Sequence, residues 1–143
     1  MELYLHFPFC KKKCAYCDFT SYANCGEALV FSYLTALKRE IRFAGERFPE
    51  ARIDTVYLGG GTPSLMSAKD IVGVFGTLSA SFQHYAPEEV SVEVNPESAS
   101  DDVLSAFLDA GVNRVSMGVQ SLSDDNLRSV GRVHVAATAR AAA

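Results

Sequence analysis

Hydrophobic residues along the chain follow two periodicities that alternate with each other. Four short segments are rich in β-branched and aromatic residues, as strands buried in a parallel sheet are. They span residues 3–7, 53–58, 90–94 and 114–119. Between these segments, apolar residues recur three and four positions apart, as they do on the buried face of a helix. The pattern therefore predicts strands that alternate with amphipathic helices.

The helical segments also carry signals for where each helix begins and ends. Their apolar faces consist of Val30, Tyr33, Leu34, Leu37, Ile41 and Ala44, then Ile71, Val74, Phe75, Leu78 and Phe82, then Val103, Leu104, Phe107 and Leu108. Ser67 and Asp70 have the spacing of a capping box before the second helix. Ser100 is a candidate N-cap of the third helix, and Gly111 follows that helix as a C′ residue. Pro49 stops the first helix.

The order of these elements predicts an α/β fold. A fourth helix begins near Ser123 and Asp124, so strand and helix alternate four times. This alternation favours right-handed βαβ units and a parallel sheet, either open or curled into a barrel. Residues 1–143 contain no visible linker, whereas four βα units are only half of an eight-fold barrel. We therefore expect one domain that is the front part of a longer protein.

Composition narrows the classes of function. The chain has 143 residues, 48% of them hydrophobic, which suits one globular domain with a continuous core. Its formal charge is −4 and its basic residues are scattered apart from Lys11 to Lys13, so nucleic acid is not an expected partner. No apolar run is long enough to span a membrane, and the start of the chain lacks the features of a secretion signal. We expect a cytoplasmic protein.

The cysteines are the first candidate for chemistry. Cys10, Cys14 and Cys17 lie in the short segment FCKKKCAYCDF, and Cys25 lies outside it. In a reducing compartment, clustered cysteines indicate metal or redox chemistry before disulfides. Three thiolates can hold three corners of a [4Fe–4S] cluster and leave one iron open to an outside ligand. The alternative is a structural zinc site with His6 as fourth ligand, or a His6 that is only packed in the core.

Further unusual residues follow the other three predicted strands. They are Gly59 to Pro63, Glu93 to Pro96, and Gly118 to Gln120. The carboxyl ends of parallel strands are where α/β proteins bind ligands, so one site can use all of these segments. The glycines would let a ligand approach the backbone closely, although a tight turn explains them equally well. Glu93 is a charge in an apolar strand and needs a cation or a hydroxyl group beside it.

Taken together, the four segments are much more specific than any one alone. YLHFPFCKKKCAYCDF, LGGGTPSLMS, VEVNPES and GVNRVSMGVQSLSDDNLRSVGRVH occur in this order. They resemble the radical S-adenosylmethionine (SAM) superfamily, and within it the branch of oxygen-independent coproporphyrinogen III oxidases and the related heme chaperones. The resemblance runs from Leu3 to about His134. It implies that residues 1–143 are the first four units of a (β/α)6 radical SAM barrel, without the later units and the C-terminal domain.

The resemblance also implies roles for individual residues. Cys10, Cys14 and Cys17 match the three ligands of a [4Fe–4S] cluster. Positions that contact SAM in the family correspond to Tyr4, Tyr16, Gly61 and Glu93. Positions that touch a second SAM molecule in the oxidase correspond to Thr62, Gln120 and Arg132. The chemistry implied is one-electron reduction of the SAM sulfonium through the cluster, for which the protein needs an electron donor.

Two departures from the oxidase favour the chaperone branch. The oxidase type follows its third cysteine with Gly-Cys, whereas this chain has Asp18-Phe19, as the chaperone type does. The oxidase also carries an N-terminal extension, while the first predicted strand here begins almost at Met1. The resemblance therefore implies a protein that binds heme and transfers it to acceptor proteins. The alternatives are an oxidase acting on a porphyrin precursor and a zinc-stapled structural domain, so whether the chain is an enzyme stays open.

Overall fold

A four-stranded parallel sheet forms the centre of the fold. The structure is a computed structural model that describes all of residues 1–143. Its strands are β1 (Glu2–Phe7), β2 (Phe9–Cys10), β3 (Tyr22–Ala23), β4 (Arg52–Gly60), β5 (His84–Val94) and β6 (Arg114–Met117). Its helices are α1 (Glu27–Arg47), α2 (Ala68–Ser81), α3 (Asp101–Asp109), α4 (Asp124–Ser129) and α5 (Ala136–Ala142). The main sheet has the order β1-β4-β5-β6, with every neighbouring pair parallel. The predicted α/β fold with a parallel sheet is confirmed.

The predicted helices lie between these strands and supply one side of the core. Leu34 of α1, Ile71 and Val74 of α2 and Phe107 of α3 are all buried in a single apolar cluster with Val92 of β5. Ser67 caps α2 as expected, since its hydroxyl accepts a hydrogen bond from the Asp70 N–H and donates one to the Asp70 carboxylate. Gly111 follows α3 with a φ of 92°, which confirms the predicted C′ residue.

The sheet has one apolar face and one polar face. In β5, Val90, Val92 and Val94 are buried in the core, while the alternating residues Ser91 and Glu93 point to the other side. Parallel pairing aligns Tyr4 with Tyr57 and Tyr57 with Ser91 on that second side. The strands are therefore not apolar on both faces, and the polar face leads toward the site described below.

Several boundaries differ from the sequence predictions for local reasons. Strand β5 begins at His84 rather than residue 90, and its register against β4 shifts between Ile53 and Thr55. This irregularity accommodates Pro87, which has no N–H to donate to a neighbouring strand. Strand β6 ends at Met117 rather than residue 119, because the chain turns through Gln120, whose φ is 63°.

Other expectations about single side chains and short elements were wrong. Leu108 was placed on the buried face of α3, but it is 71% exposed. Ser100 precedes α3 but makes no side-chain capping hydrogen bond. The small sheet β2-β3 was not predicted, since strands of two residues show no periodicity. No helix combines the length and apolar character required to cross a membrane.

Candidate functional site

One cavity of about 630 Å³ opens at the carboxyl ends of the main-sheet strands. Its walls come from the segments that follow β1, β4, β5 and β6, as the sequence predicted. The predicted site residues that line it are Cys10, Cys14, Tyr16, Cys17, Gly61, Thr62, Glu93, Gln120 and Arg132. Only Tyr4 among the predicted set lies outside its walls. The fold therefore brings together residues that are up to 122 positions apart, from Cys10 to Arg132.

The cysteine loop is anchored at both ends. Cys10 belongs to β2, which pairs with β3, and the Cys17 N–H donates to the Cys14 carbonyl at 3.1 Å. The Ala15 N–H donates to the carbonyl of Val130, just after α4, at 3.1 Å. All the cysteines are free thiols. The loop is thus held against a segment more than a hundred residues later in the chain.

Two polar side chains donate hydrogen bonds to thiols of this loop. The Thr62 hydroxyl lies 3.6 Å from the Cys10 sulfur, and Arg132 Nη1 lies 3.6 Å from the Cys14 sulfur. Thr62 is 3% exposed, and the Arg132 side chain is 6% exposed. Arg132, one of the residues that the resemblance singled out, is buried in the loop between α4 and α5. Both donors are therefore fixed by their surroundings.

Asn95 joins these two donors and is absent from the predicted set. Its Nδ2 donates to Thr62 Oγ1 at 3.0 Å, and its Oδ1 accepts from Arg132 Nη2 at 2.6 Å. Arg132 Nη2 also donates to the Gly118 carbonyl at 2.7 Å, while Nε has no partner. The only signal in the sequence was the position of Asn95 at the end of a strand. A lone asparagine there is usual in any turn.

Glu97 is a second residue that the sequence did not point to. Its carboxylate lies 3.9 Å from Arg132 Nη2 and 3.2 Å from Nδ1 of the buried His134. His134 Nε2 faces the Val119 carbonyl at 3.1 Å and therefore carries a hydrogen. These contacts tie the segment after α4 to the end of β5, and so support the placement of Arg132.

Glu93 has the hydroxyl partner that its position required. The Tyr57 hydroxyl donates to Glu93 Oε1 at 2.7 Å, and the Gly60 N–H donates to Oε2 at 3.0 Å. This hydrogen bond to Glu93, together with burial, raises the pKa of Tyr57 to about 12. Tyr57 therefore remains a hydrogen-bond donor at neutral pH, and the carboxylate is held in one orientation at the cavity wall.

The glycine run is required by the protein's own packing. A Cβ on Gly61 would lie 2.6 Å from the Phe9 carbonyl oxygen, and one on Gly60 would lie 2.6 Å from the His6 ring. Gly60 also has a φ of 114°, which a side chain disfavours. The glycines allow the end of β4 to lie directly against residues 7–9 and His6. Gly60 and Gly61 also line the cavity, and the close approach of a ligand to their backbone stays a prediction.

Tyr4 and His6 form a separate pair on the exposed side of β1. His6 Nε2 faces the Thr20 carbonyl at 2.8 Å, so this nitrogen carries the hydrogen. His6 Nδ1 then accepts from the Tyr4 hydroxyl at 2.9 Å. Both ring nitrogens are occupied, which leaves none free for a metal ion in this arrangement.

Tyr16 and Gln120 lie at the mouth of the cavity. Both side chains are exposed, and Gln120 adopts a left-handed backbone conformation. Partial burial raises the pKa of Tyr16, and the neighbouring Cys14 thiol raises it further while Arg132 opposes the increase. These two residues therefore line the cavity with side chains that are open to solvent.

Comparison with known proteins agrees with this arrangement. The sequence matches the profile of the Radical SAM superfamily over residues 4–143. The chain belongs to the radical SAM superfamily. The resemblance seen in the four sequence segments is thereby confirmed.

Individual radical SAM relatives fall in the predicted branch. The chain is 34% identical to the heme chaperone HemW of Haemophilus influenzae over 99% of its length, covering 38% of that protein. It is 41% identical to the mitochondrial radical S-adenosyl methionine domain-containing protein 1 of Bos taurus, over 94% of this chain and 30% of the relative. The solved structure of coproporphyrinogen III oxidase (HemN) from Escherichia coli, a radical SAM enzyme, superposes with a TM-score of 0.91 at 33% identity.

The radical SAM chain spans less than two-fifths of the length of these relatives. In the structural superposition, 99% of this chain is matched to 32% of the HemN chain. The region matched by the family profile contains most of β1, the other strands of the main sheet and the whole cavity wall described above. The similarity therefore includes the part of this chain that carries the cysteine loop.

Proposed function

We propose that the cavity at the carboxyl ends of the strands holds a [4Fe–4S] cluster and SAM. The observation that carries the proposal is that Cys10, Cys14 and Cys17 line one cavity together with the polar residues that end β4, β5 and β6. The three thiolates would each bind one iron and leave the fourth iron for SAM. The cluster, when bound, supplies an electron to the SAM sulfonium.

The thiols suit a cluster better than a single zinc ion. A structural zinc ion takes four ligands, with each thiolate about 2.3 Å from the same ion, whereas a [4Fe–4S] cluster offers a separate iron to each of three thiolates. The cavity presents three thiols. The hydrogen bonds from Thr62 and Arg132 also suit thiolate acceptors. His6, the fourth ligand of the zinc alternative, is engaged elsewhere.

The remaining wall residues would orient SAM. Glu93, fixed by Tyr57 and Gly60, offers carboxylate oxygens to a ligand hydroxyl or ammonium group. Gly61 would contribute backbone and Tyr16 a phenol at the mouth, while Thr62, Gln120 and Arg132 would meet a second ligand molecule. Tyr4 has the least support from the geometry, since it lies outside the cavity walls.

The whole protein, we infer, is a heme chaperone that transfers heme to acceptor proteins. The relatives named HemW and the Asp18-Phe19 sequence support this function. Residues 1–143 would be the cluster-bearing part of its radical SAM domain, reduced by an electron donor. A cytoplasmic location remains a prediction, and the name of the bovine relative places that protein in mitochondria.

An oxygen-independent coproporphyrinogen III oxidase is the second candidate. The superposition on HemN, with a TM-score of 0.91, is the reason to keep this candidate, because the fold of the site region is shared. A shared fold does not distinguish the two activities, since both would use the same cluster and SAM site.

The cluster is tested by iron and sulfide analysis of protein prepared without oxygen. We expect Cys10→Ala, Cys14→Ala and Cys17→Ala each to lose most of the iron, since each removes one of three anchors. Cys25→Ala is the matched control, because Cys25 lines a different cavity beside α1. Iron loss in Cys25→Ala equal to that in Cys14→Ala would support a four-cysteine site and contradict the proposal.

The two candidate activities are separated in the full-length protein. The reduced, cluster-loaded protein is given coproporphyrinogen III and SAM and assayed for decarboxylated product, and a second sample is titrated with heme. We expect saturable heme binding and no product. Steady formation of protoporphyrinogen without heme binding would replace the chaperone with the oxidase.

A further inference from the structure

Asn95 occupies the centre of a continuous hydrogen-bonded chain between two of the three loop thiols. From one end, the chain runs from the Cys10 sulfur to Thr62 Oγ1 at 3.6 Å and on to Asn95 Nδ2 at 3.0 Å. It continues from Asn95 Oδ1 to Arg132 Nη2 at 2.6 Å, and from Arg132 Nη1 to the Cys14 sulfur at 3.6 Å. One amide therefore contacts both side chains that donate to the thiols.

The direction of every bond in this chain is fixed by chemistry. Arg132 can only donate, so the amide oxygen of Asn95 faces Arg132 and the NH₂ group faces Thr62. Thr62 Oγ1 accepts from that NH₂ group, which leaves the single hydroxyl hydrogen of Thr62 free to donate to Cys10. An amide is the side chain that can donate on one side and accept on the other in this geometry.

The backbone of Asn95 is held independently of its side chain. The Asn95 N–H donates to the Ser64 hydroxyl at 3.2 Å, and the Ser98 hydroxyl donates to the Asn95 carbonyl at 3.2 Å. The two serine hydroxyls are 2.6 Å apart. The amide therefore projects from a fixed point at the end of β5.

We propose that Asn95 is a positioning residue that aims one hydrogen-bond donor at each of two cluster thiolates. It acts on Cys10 through Thr62 and on Cys14 through Arg132, while the Cys17 sulfur receives no side-chain donor. Hydrogen bonds to the sulfurs of an iron–sulfur cluster are among the groups that set its reduction potential. They stabilise the more negative, reduced state, so they raise the potential. The inference rests on the proposed cluster.

The test compares two asparagines by the same truncation. Asn95→Ala removes the amide from the site, and Asn113→Ala is the matched control. Asn113 also makes two amide hydrogen bonds, accepting from the Val90 N–H and donating to the Glu88 carbonyl, both at 2.9 Å. Asn113 does not line the cavity. Neither substitution changes the net charge, so a change in potential would not arise from added charge.

The measurement is the midpoint potential of the reconstituted cluster in the full-length protein, followed by electron paramagnetic resonance. We expect Asn95→Ala to shift the midpoint to a more negative potential and Asn113→Ala to titrate like the wild type. Thr62→Val, which removes only the donor to Cys10, should shift the midpoint in the same direction. In a Thr62→Val background, Asn95→Ala should then produce a smaller shift than it does alone.

The possible outcomes distinguish a failure of the Asn95 inference from a failure of the proposed cluster. If wild-type protein retains no iron and sulfide, the proposed cluster fails and the inference fails with it. If the cluster forms and Asn95→Ala titrates at the wild-type potential, or shifts no more than Asn113→Ala, Asn95 has no positioning role. If Asn95→Ala does not fold, an unchanged potential in Thr62→Val would overturn the inference.

Discussion

Replacement of Gly118 by alanine gives the sharpest test of the packing around the cavity. A Cβ at this position would lie 2.6 Å from Asn95 Oδ1, and 3.4 Å from both Arg132 Nη2 and Gln120 Nε2. Gly118 is not among the residues with left-handed φ, so the backbone itself accepts alanine. Restoring 3.4 Å to the amide oxygen requires a movement of about 0.8 Å, the difference between the two distances. That movement would break the contact between Asn95 and Arg132.

The expected loss of stability follows from this contact. A hydrogen bond to a charged group contributes about 1.5–3 kcal/mol, and exchange of glycine for alanine restores about 0.4–1 kcal/mol through the unfolded chain. The free energy of unfolding should therefore fall by about 0.5–2.5 kcal/mol. It is measured by urea denaturation of the metal-free protein, followed by circular dichroism. Cluster retention should fall as well, since Arg132 also donates to Cys14.

Two other glycines serve as controls for the effects that alanine has on helix propensity and on backbone strain. Gly76 is exposed in α2 with nothing near its Cβ position, so Gly76→Ala should stabilise the protein by about 0.8–1 kcal/mol. Gly111 has equally open space but a φ of 92°, so Gly111→Ala should cost about 1–2 kcal/mol through backbone strain and leave cluster retention unchanged. If Gly118→Ala stabilises the protein as Gly76→Ala does, the Asn95 amide is not held as described.

Two further predictions concern the core and the cavity wall. Gly45→Ala should destabilise the protein by about 1–3 kcal/mol, because its Cβ would lie 2.2 Å from the Ser81 backbone oxygen and force α1 away from α2; an unchanged melting temperature would contradict this packing. Tyr57 has a raised pKa, so its contribution to stability is complete below about pH 10 and is lost as the pH rises through about 12. In a tyrosinate absorbance titration, Tyr57→Phe should remove a phenol that ionises near pH 12, and loss of a phenol near pH 10 instead would show that Glu93 does not hold it.

The sequence was sufficient to predict what depends on local pattern. The alternation of strand and helix periods gave the order of the main elements, and the capping residue Ser67 gave the start of α2 within one residue. The thiol spacing and the position of Glu93 also indicated one site at the carboxyl ends of the strands. Each of these signals is contained within a few neighbouring residues.

What the sequence could not predict depends on contacts between distant residues. Asn95 differs from any other turn asparagine only because Thr62 and Arg132 lie on its two sides. Arg132 lies between the short helices α4 and α5, where no periodic apolar pattern marks a buried side. Its side chain is nevertheless enclosed by residues from the end of β5 and from the cysteine loop. The partner of Glu93 was expected by chemical type, but only the register of β4 against β5 identifies it as Tyr57.

The attachment of the cysteine loop to the segment after α4 has a consequence for the order of events during synthesis. Cys14 and Arg132 are 118 positions apart. At about 5–20 residues per second, the ribosome makes the thiols about 6–24 s before it makes the arginine that contacts them. The contact between the cysteine loop and the segment after α4 also closes a long stretch of chain, which has an entropic cost. This contact therefore forms only after the strands between the two segments have paired. Newly made thiols thus spend their first seconds without the wall that later encloses them, and the site is completed only after Arg132 has left the ribosome.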